Sequence, residues 1–147
     1  MKNYYPPMHT AEHILNQTMN RMFDCGRSFS MHLEKKKSKC DYRFERNLTE
    51  KEIKEIEERV NEIIKTNLQV YEKFIPRNEA EKLYDLNRLP DTAGDVLRII
   101  HIGDYDSCPC IGNHVAFTGE IGNFRIVSSS YENGVLRIRF KLEQEQV

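Results

Sequence analysis

Cys108-Pro109-Cys110-Ile111-Gly112-Asn113-His114 sets a thiol and an imidazole four positions apart, with a glycine between them where the backbone can turn tightly. Far upstream, His9-Thr10-Ala11-Glu12-His13 places two imidazoles at i and i+4. On a helix such a pair shares one face at about 5–6 Å, close enough to grip one ion. Together the pairs offer one thiolate and three imidazoles, a borderline-soft set that suits Zn²⁺ better than Mg²⁺ or Ca²⁺, which take oxygen. A His-x-x-x-His pair alone arises readily by chance in a chain with five histidines. The second, thiol-bearing pair at the same spacing makes a shared metal the expectation, with His9, His13, Cys110 and His114 as ligands.

Other readings of the same residues are weaker. His9-Thr10-Ala11-Glu12-His13 also fits His-x-x-Glu-His, the inverted zinc-protease motif whose glutamate is a base. That leaves the Cys110 to His114 pair unexplained, so Glu12 is expected to be a first-turn acid favoured by the helix dipole. His101 is read as a strand histidine and not a fifth ligand. Cys108 and Cys110 are too close for an unstrained disulfide, so metal ligation is the better use for one of them. Cys25 and Cys40 carry no motif and are read as structural thiols.

Helices and strands must bring these segments together. From about Met8 to Met22 the residues Ala11, Ile14, Leu15, Thr18, Met19 and Met22 form one helical stripe, with His9 and His13 at its edge and Gly26 ending the helix. Arg27 to Leu33 and Lys39 to Phe44 alternate as two strands joined by a lysine-rich turn. Thr49 and Glu52 form a capping box before Ile53, Ile56, Val60, Ile63 and Ile64, which recur at helical spacing. A strand over Gln69 to Ile75 is closed by Pro76, and a short helix runs from about Asn78 to Tyr84. Asp85 to Asp95 is loop, and Val96 to Ile102 is a β-branched strand delivering the chain into the cysteine loop. Asn133-Gly134 marks a hairpin between two strands within Asn123 to Leu142. Strands and helices mixed without regular βαβ units predict an α+β fold, an antiparallel sheet with packed helices, in a single domain over 1–147.

Composition narrows the class. The 147 residues are 39% hydrophobic and 31% charged, with a net charge of −1 and no apolar run of bilayer length. The N-terminal stretch lacks the apolar segment of a secretory signal, so the reducing cytoplasm is the expected compartment. Charge is uneven: residues 1–47 carry nine Lys or Arg against five Asp or Glu, whereas residues 48–95 carry eight against twelve. The basic third holds Lys35, Lys36, Lys37, Lys39, Arg43 and Arg46, which could meet phosphates.

Val96 to Tyr105, then Cys110-x-Gly112-x-His114, then Thr118-Gly119-Glu120-Ile121-Gly122-Asn123-Phe124-Arg125-Ile126, with His9-x-x-x-His13 at the other end, resemble the editing domain of alanyl-tRNA synthetase and its free-standing AlaX-type relatives. The resemblance keeps order and spacing over nearly the whole chain. It implies a hydrolase that removes a wrongly attached amino acid, usually serine and sometimes glycine, from tRNA(Ala). It also implies zinc on His9, His13, Cys110 and His114. Ser28, Ser30 and Asn113 are the candidates for recognising the small side chain, and Lys35, Lys36, Lys37, Lys39 and Arg43 those for contacting tRNA.

The chain departs from the family pattern at two places. Cys110-Ile111-Gly112-Asn113-His114 stands where Cys-Gly-Gly-Thr-His is typical, losing a glycine and a hydroxyl beside the metal. Asp41-Tyr42-Arg43-Phe44 replaces Arg-Phe-Asp-Phe with the charges exchanged. Cys-x-Gly-x-His followed by Val115 also resembles the editing domain of threonyl-tRNA synthetase, so proofreading of Ser-tRNA(Thr) is the runner-up; the Thr118 to Gly122 continuation favours the alanine branch. ATP-binding motifs and the extra N-terminal barrel of longer editing proteins are missing, as in the short form, and no aminoacylation is expected. A non-catalytic, zinc-stabilised RNA-binding module is the alternative of a different class.

Overall fold

Pro6 and Pro7 open helix α1 (Pro6–Phe23), where the fixed φ of proline suits the first turn and its missing N–H forfeits no helical bond. The computed structural model of the chain describes residues 4–86, 89 and 94–144. Ala11, Ile14, Leu15, Thr18 and Met19 are fully buried along the expected stripe, joined by Met8. The helix ends before Gly26. Asp24 takes the left-handed conformation (φ 52°) and returns its N–H to the Asn20 carbonyl, leaving Gly26 outside the helix.

Strands β1 (Ser30–His32) and β2 (Ser38–Arg43) pair antiparallel across the lysine turn. β1 is shorter than Arg27 to Leu33 because the chain at Ser28 is turned inward, its N–H bound to the Asn16 side chain at 3.1 Å. Helix α2 (Glu50–Thr66) starts on the expected capping box and buries Ile56, Val60 and Ile64. Then come β3 (Val70–Pro76), α3 (Arg77–Leu83), β4 (Val96–Ile102), β5 (Asp106–Pro109), a 3-10 turn at Thr118–Ile121, β6 (Asn123–Glu132) and β7 (Val135–Glu143). The expected loop over Asp85 to Asp95 lies partly outside the described residues. Asn133 and Gly134 both have positive φ, as the two-residue hairpin between β6 and β7 requires.

The fold is α+β with antiparallel strands throughout, and it has two sheets where one was expected: β1-β2-β7-β6 and β3-β4-β5. The second is completed by β5, in a stretch read as loop. Asp106-Ser107-Cys108-Pro109 has no apolar alternation, and only its pairing with Ile99 to Ile102 makes it a strand. The main core lies between the inner face of the four-stranded sheet (Cys40, Tyr42, Phe124, Leu136, Ile138, Phe140) and helices α1 and α2. Among the described residues no helix is long and apolar enough to cross a membrane.

The start of α2 generates a pH-dependent prediction. Thr49 Oγ1 accepts the Glu52 N–H at 3.1 Å, Glu52 Oε1 accepts the Thr49 N–H at 2.9 Å, and Arg46 donates to both Glu52 oxygens at 2.8 Å. The Arg46 hydrogen bonds first, then the Thr49 N–H, hold the Glu52 carboxyl at about 2. A depressed carboxyl pKa stabilises the fold above the unfolded value of ~4.3 and ceases to do so as pH falls through the folded one. Glu52→Gln is therefore expected to lower the denaturation midpoint at pH 7, with the deficit shrinking towards zero by pH 2; an equal deficit at both pH values would contradict it. Thr49→Ala is expected to cost about 1 kcal/mol at either pH.

Candidate metal centre and cleft

Helix α1 presents His9 and His13 side by side, ring centroids 5.1 Å apart, and the segment after β5 lays Cys110 and His114 against them. One ligand atom from each of the four lies within 4.8 Å of the others. The His9 and His114 rings stack at 4.1 Å, His13 meets His114 edge-on at 4.5 Å, and Cys110 Sγ is 3.4 Å from His9 Nε2. Two of the remaining ring nitrogens are hydrogen-bonded from outside, and the third, on His13, faces a carboxylate beyond hydrogen-bond reach. His9 Nδ1 donates to the Asn113 carbonyl at 3.1 Å, His114 Nδ1 is 3.0 Å from Thr10 Oγ1, and His13 Nδ1 is 3.7 Å from Asp106 Oδ2. Carboxylate, carbonyl or hydroxyl partners of this kind fix ring orientation in metal-ligating histidines. His13 Nδ1 and His114 Nε2 are buried with no hydrogen-bond partner among the described residues. An orphaned buried acceptor costs about 1–3 kcal/mol, and a cation would relieve it, so the donor set fits zinc.

Gly112 is required here for close approach. The chain bends at Gly112 as expected, with a φ that is not positive, and a steric demand is added to the turn. A Cβ on Gly112 would fall on the His9 ring, 2.8 Å from Nδ1 and closer still to Cε1. Arg98 on β4 fastens the same loop by donating to the carbonyls of Cys110 (3.2 Å) and Gly112 (2.6 Å). Sequence reasoning missed Arg98, Thr10 and Asp106, since each acts on a segment remote in the chain and none belongs to a spaced motif.

Charge in the site is strongly polarised. Burial works against ionising the Cys110 thiol, but the imidazoles of His114, His13 and His9 around the sulfur outweigh it and hold its pKa at about 2. Burial, with the charges of His13 and His9, pushes His114 down to about 3 against the pull of Cys110. Asp106 stays at about 2 in spite of burial because Arg27 donates to both its oxygens (2.7 and 3.2 Å) and His13 lies beside it. Glu12 is not a first-turn acid: α1 begins at Pro6 and has none, so Glu12 falls in the second turn, 2% exposed. There it accepts from Asn16 Nδ2, and its Oε1 lies 3.8 Å from His13 Nε2. Asn16 Oδ1 in turn accepts from Tyr42 Oη and the Ser28 N–H, tying helix, sheet and cleft wall together.

Three of the four, His9, His13 and Cys110, line a cleft of about 870 Å³, together with Tyr4, Glu12, Arg27, Ser28, Phe29 and Cys108, and His114 adjoins them outside its lining. Ser28 is buried in its wall. Ser30 is exposed on β1 opposite Asp41, and Asn113 points outward and contributes its carbonyl; neither lines the cleft. Lys35 lies over the Tyr5 ring at 5.4 Å, near the start of α1, and Lys36 and Lys37 are exposed in the same turn. Arg43 stacks on Phe29 at 3.9 Å, and Lys39 sits opposite Arg139 on β7. His101 stacks on Tyr71 at 4.9 Å and is outside the four-residue group. Cys25 and Cys40 are free thiols, half-buried and buried respectively.

An α+β domain with three imidazoles and a thiol converging at the end of a cleft is the class that fold and site define. Residues 97–139 match the family described as threonyl and alanyl tRNA synthetase second additional domain. The chain is 33% identical over 136 residues to alanine–tRNA ligase of Methanopyrus kandleri, a match covering 90% of the chain and 15% of the ligase. It is 34% identical over 137 residues to that of Treponema denticola (92% and 23%) and over 141 residues to that of Aeropyrum pernix (90% and 15%). The chain thus spans less than a quarter of the length of these relatives. Its sequence is similar to the editing region of alanyl-tRNA synthetases, as the resemblance read from its sequence implies.

Gly112→Ala is expected to lower zinc affinity about 10-fold or more by displacing the His9 ring, and His101→Ala to leave it unchanged. Competition titration against a chromophoric chelator measures both, and equal affinity in Gly112→Ala and the native protein would remove the steric argument.

Proposed function

We propose that the chain, taken as one domain over 1–147, hydrolyses the ester of wrongly charged tRNA(Ala) at a zinc site formed by His9, His13, Cys110 and His114. Ser-tRNA(Ala) is the first substrate and Gly-tRNA(Ala) the second. The observation that carries this reading is the convergence of the four ligand atoms, within 4.8 Å of one another, at an open cleft in a chain related to alanine–tRNA ligases. Free thiols at all four cysteines fit the reducing cytoplasm, where charged tRNA is made and used.

Zinc held there would supply Lewis-acid polarisation of the ester carbonyl. The remaining work falls to the chain itself. Cys110, as the thiolate, brings the compensating negative charge, and Asn113 and Thr10 orient the His9 and His114 rings. Glu12, buried beside His13 and lining the cleft, offers a carboxylate for the substrate's ammonium group. Of the three polar candidates, Ser28 lines the cleft and is assigned the amino-acid side chain; Phe29, 39% exposed at the wall, offers a ring to the terminal base. Lys35, Lys36 and Lys37 stand beside the start of α1 and are assigned to tRNA phosphates. Four protein ligands usually make a closed, structural site, which favours a second reading as a zinc-stabilised RNA-binding module.

Deacylation of purified Ser-tRNA(Ala), Gly-tRNA(Ala) and Ser-tRNA(Thr), with zinc content measured alongside, separates the readings. Editing predicts release from the first two and a loss of about 100-fold or more in a folded His9→Ala variant. Release only from Ser-tRNA(Thr) would move the activity to the threonine branch. No release by a folded, zinc-loaded sample would leave the binding module.

A further inference from the structure

We propose that the outer face of the four-stranded sheet docks an RNA phosphodiester backbone, with Arg139 and Lys39 at its centre and Arg43 leading from it to the cleft. The inference deepens the editing reading and rests on it. Alternation along each strand sends Cys40, Tyr42, Leu136, Ile138 and Phe140 into the core and their neighbours outward. The outward set carries six cations, Lys39, Arg43, Arg125, Arg137, Arg139 and Lys141, against the carboxylates of Asp41, Glu132 and Glu143. This concentration occurs in a chain whose net charge is −1, so it is not a by-product of composition.

Pairing within the face leaves its centre cationic. Arg137 donates to both oxygens of Asp41 at 2.8 and 3.0 Å, and Glu143 lies 3.4 Å from both Arg125 and Lys141. Arg139 has no carboxylate partner among the described residues; its Nη1 reaches the hydroxyls of Ser128 (3.3 Å) and Ser130 (3.4 Å). Lys39 is its direct cross-strand neighbour. Like charges placed opposite one another destabilise a sheet, and an anion lying between them reverses that effect. The serine hydroxyls supply further donors to the same spot.

Access and direction support the same occupant. The Arg125, Lys141 and Arg137 side chains are 60%, 41% and 36% exposed. Arg43, at the end of β2, lies over the ring of Phe29, which lines the cleft. A strand of RNA crossing the sheet is thereby led to the site where its terminal ester would be cut. The lysine turn at residues 35–37 joins β1 to β2 at one end of the same sheet, and an uncharged or anionic partner has no complement on this face.

Fluorescence anisotropy with a labelled, uncharged tRNA(Ala) transcript tests this across a salt series. The Lys39→Gln/Arg139→Gln double variant is expected to bind about 10-fold more weakly at low salt, and its log K against log salt slope to flatten by about 1.5. Arg139→Lys, which keeps the charge, is expected to keep the slope, and Lys65→Gln on α2 to change neither quantity. Should the double variant fail to fold by circular dichroism, Arg125→Gln provides the same test with a slope change of about 0.8. An unchanged slope in the folded variant overturns the surface, as does an equal effect of Lys65→Gln. Native protein that binds vesicles of anionic phospholipid and no tRNA also overturns it. Release of serine from Ser-tRNA(Ala) together with an unchanged slope sinks the surface and leaves editing standing. A flattened slope without release from any charged tRNA supports the surface and sinks editing.

Discussion

The backbone of Gly112 lies so close to the imidazole of His9 that one methyl group would part them, and the architecture of the site follows from that contact. It closes a loop of about a hundred residues, a large entropic cost that a single hydrogen bond does not meet. Several contacts share it. Thr10 reaches His114 and the Val115 N–H, His9 reaches the Asn113 carbonyl, and Arg98 holds the loop carbonyls from the sheet side. The first helix and the late loop are thus fitted together by backbone and hydroxyl groups that leave the ligand atoms facing one another.

Beneath the rings the polar groups form a connected set. Asp106 receives Arg27 and Gln17 and faces His13; Asn16 joins Glu12, Tyr42 and Ser28. Burying so many polar atoms is tolerable because nearly all are paired, and the pairing couples α1 to both sheets. Arg27 and Asp106 balance each other at the cleft wall, so the charge left there is that of the thiolate, Glu12 and the imidazoles.

Spaced motifs were legible in the sequence, and groups recruited from elsewhere were not. The two Cys/His pairs, the α2 capping box and the Asn133-Gly134 hairpin each announce themselves within a few residues, and the structure contains each as a local unit. Strand β5 does not, because four polar or cyclic residues become a strand only beside β4. Glu12 is misplaced from sequence for a related reason: its role depends on where the helix starts, and the two prolines start it two residues earlier than the apolar stripe implies. Gly112 shows in the sequence as a bend and not as a close approach, since a turn is a property of the local chain, whereas a close approach needs the identity of the opposing atom.

Under the proposed reading, chemistry and grip belong to different surfaces. Serine and alanine differ by one hydroxyl, and a pocket that pairs a hydroxyl rejects the analogue lacking it far more strongly than an apolar pocket rejects an added group. Such discrimination calls for polar groups held in place at the cleft wall, which is where Ser28, anchored through Asn16, is found. So small a side chain offers little binding energy of its own. Affinity must come from parts of the substrate remote from the ester, where it can be used to position the reacting bond. The nucleic-acid portion is the only large remainder, and its charge calls for cations outside the cleft. Cationic side chains on the open sheet, and a compact thiolate and carboxylate beside the rings, are what that division of labour demands.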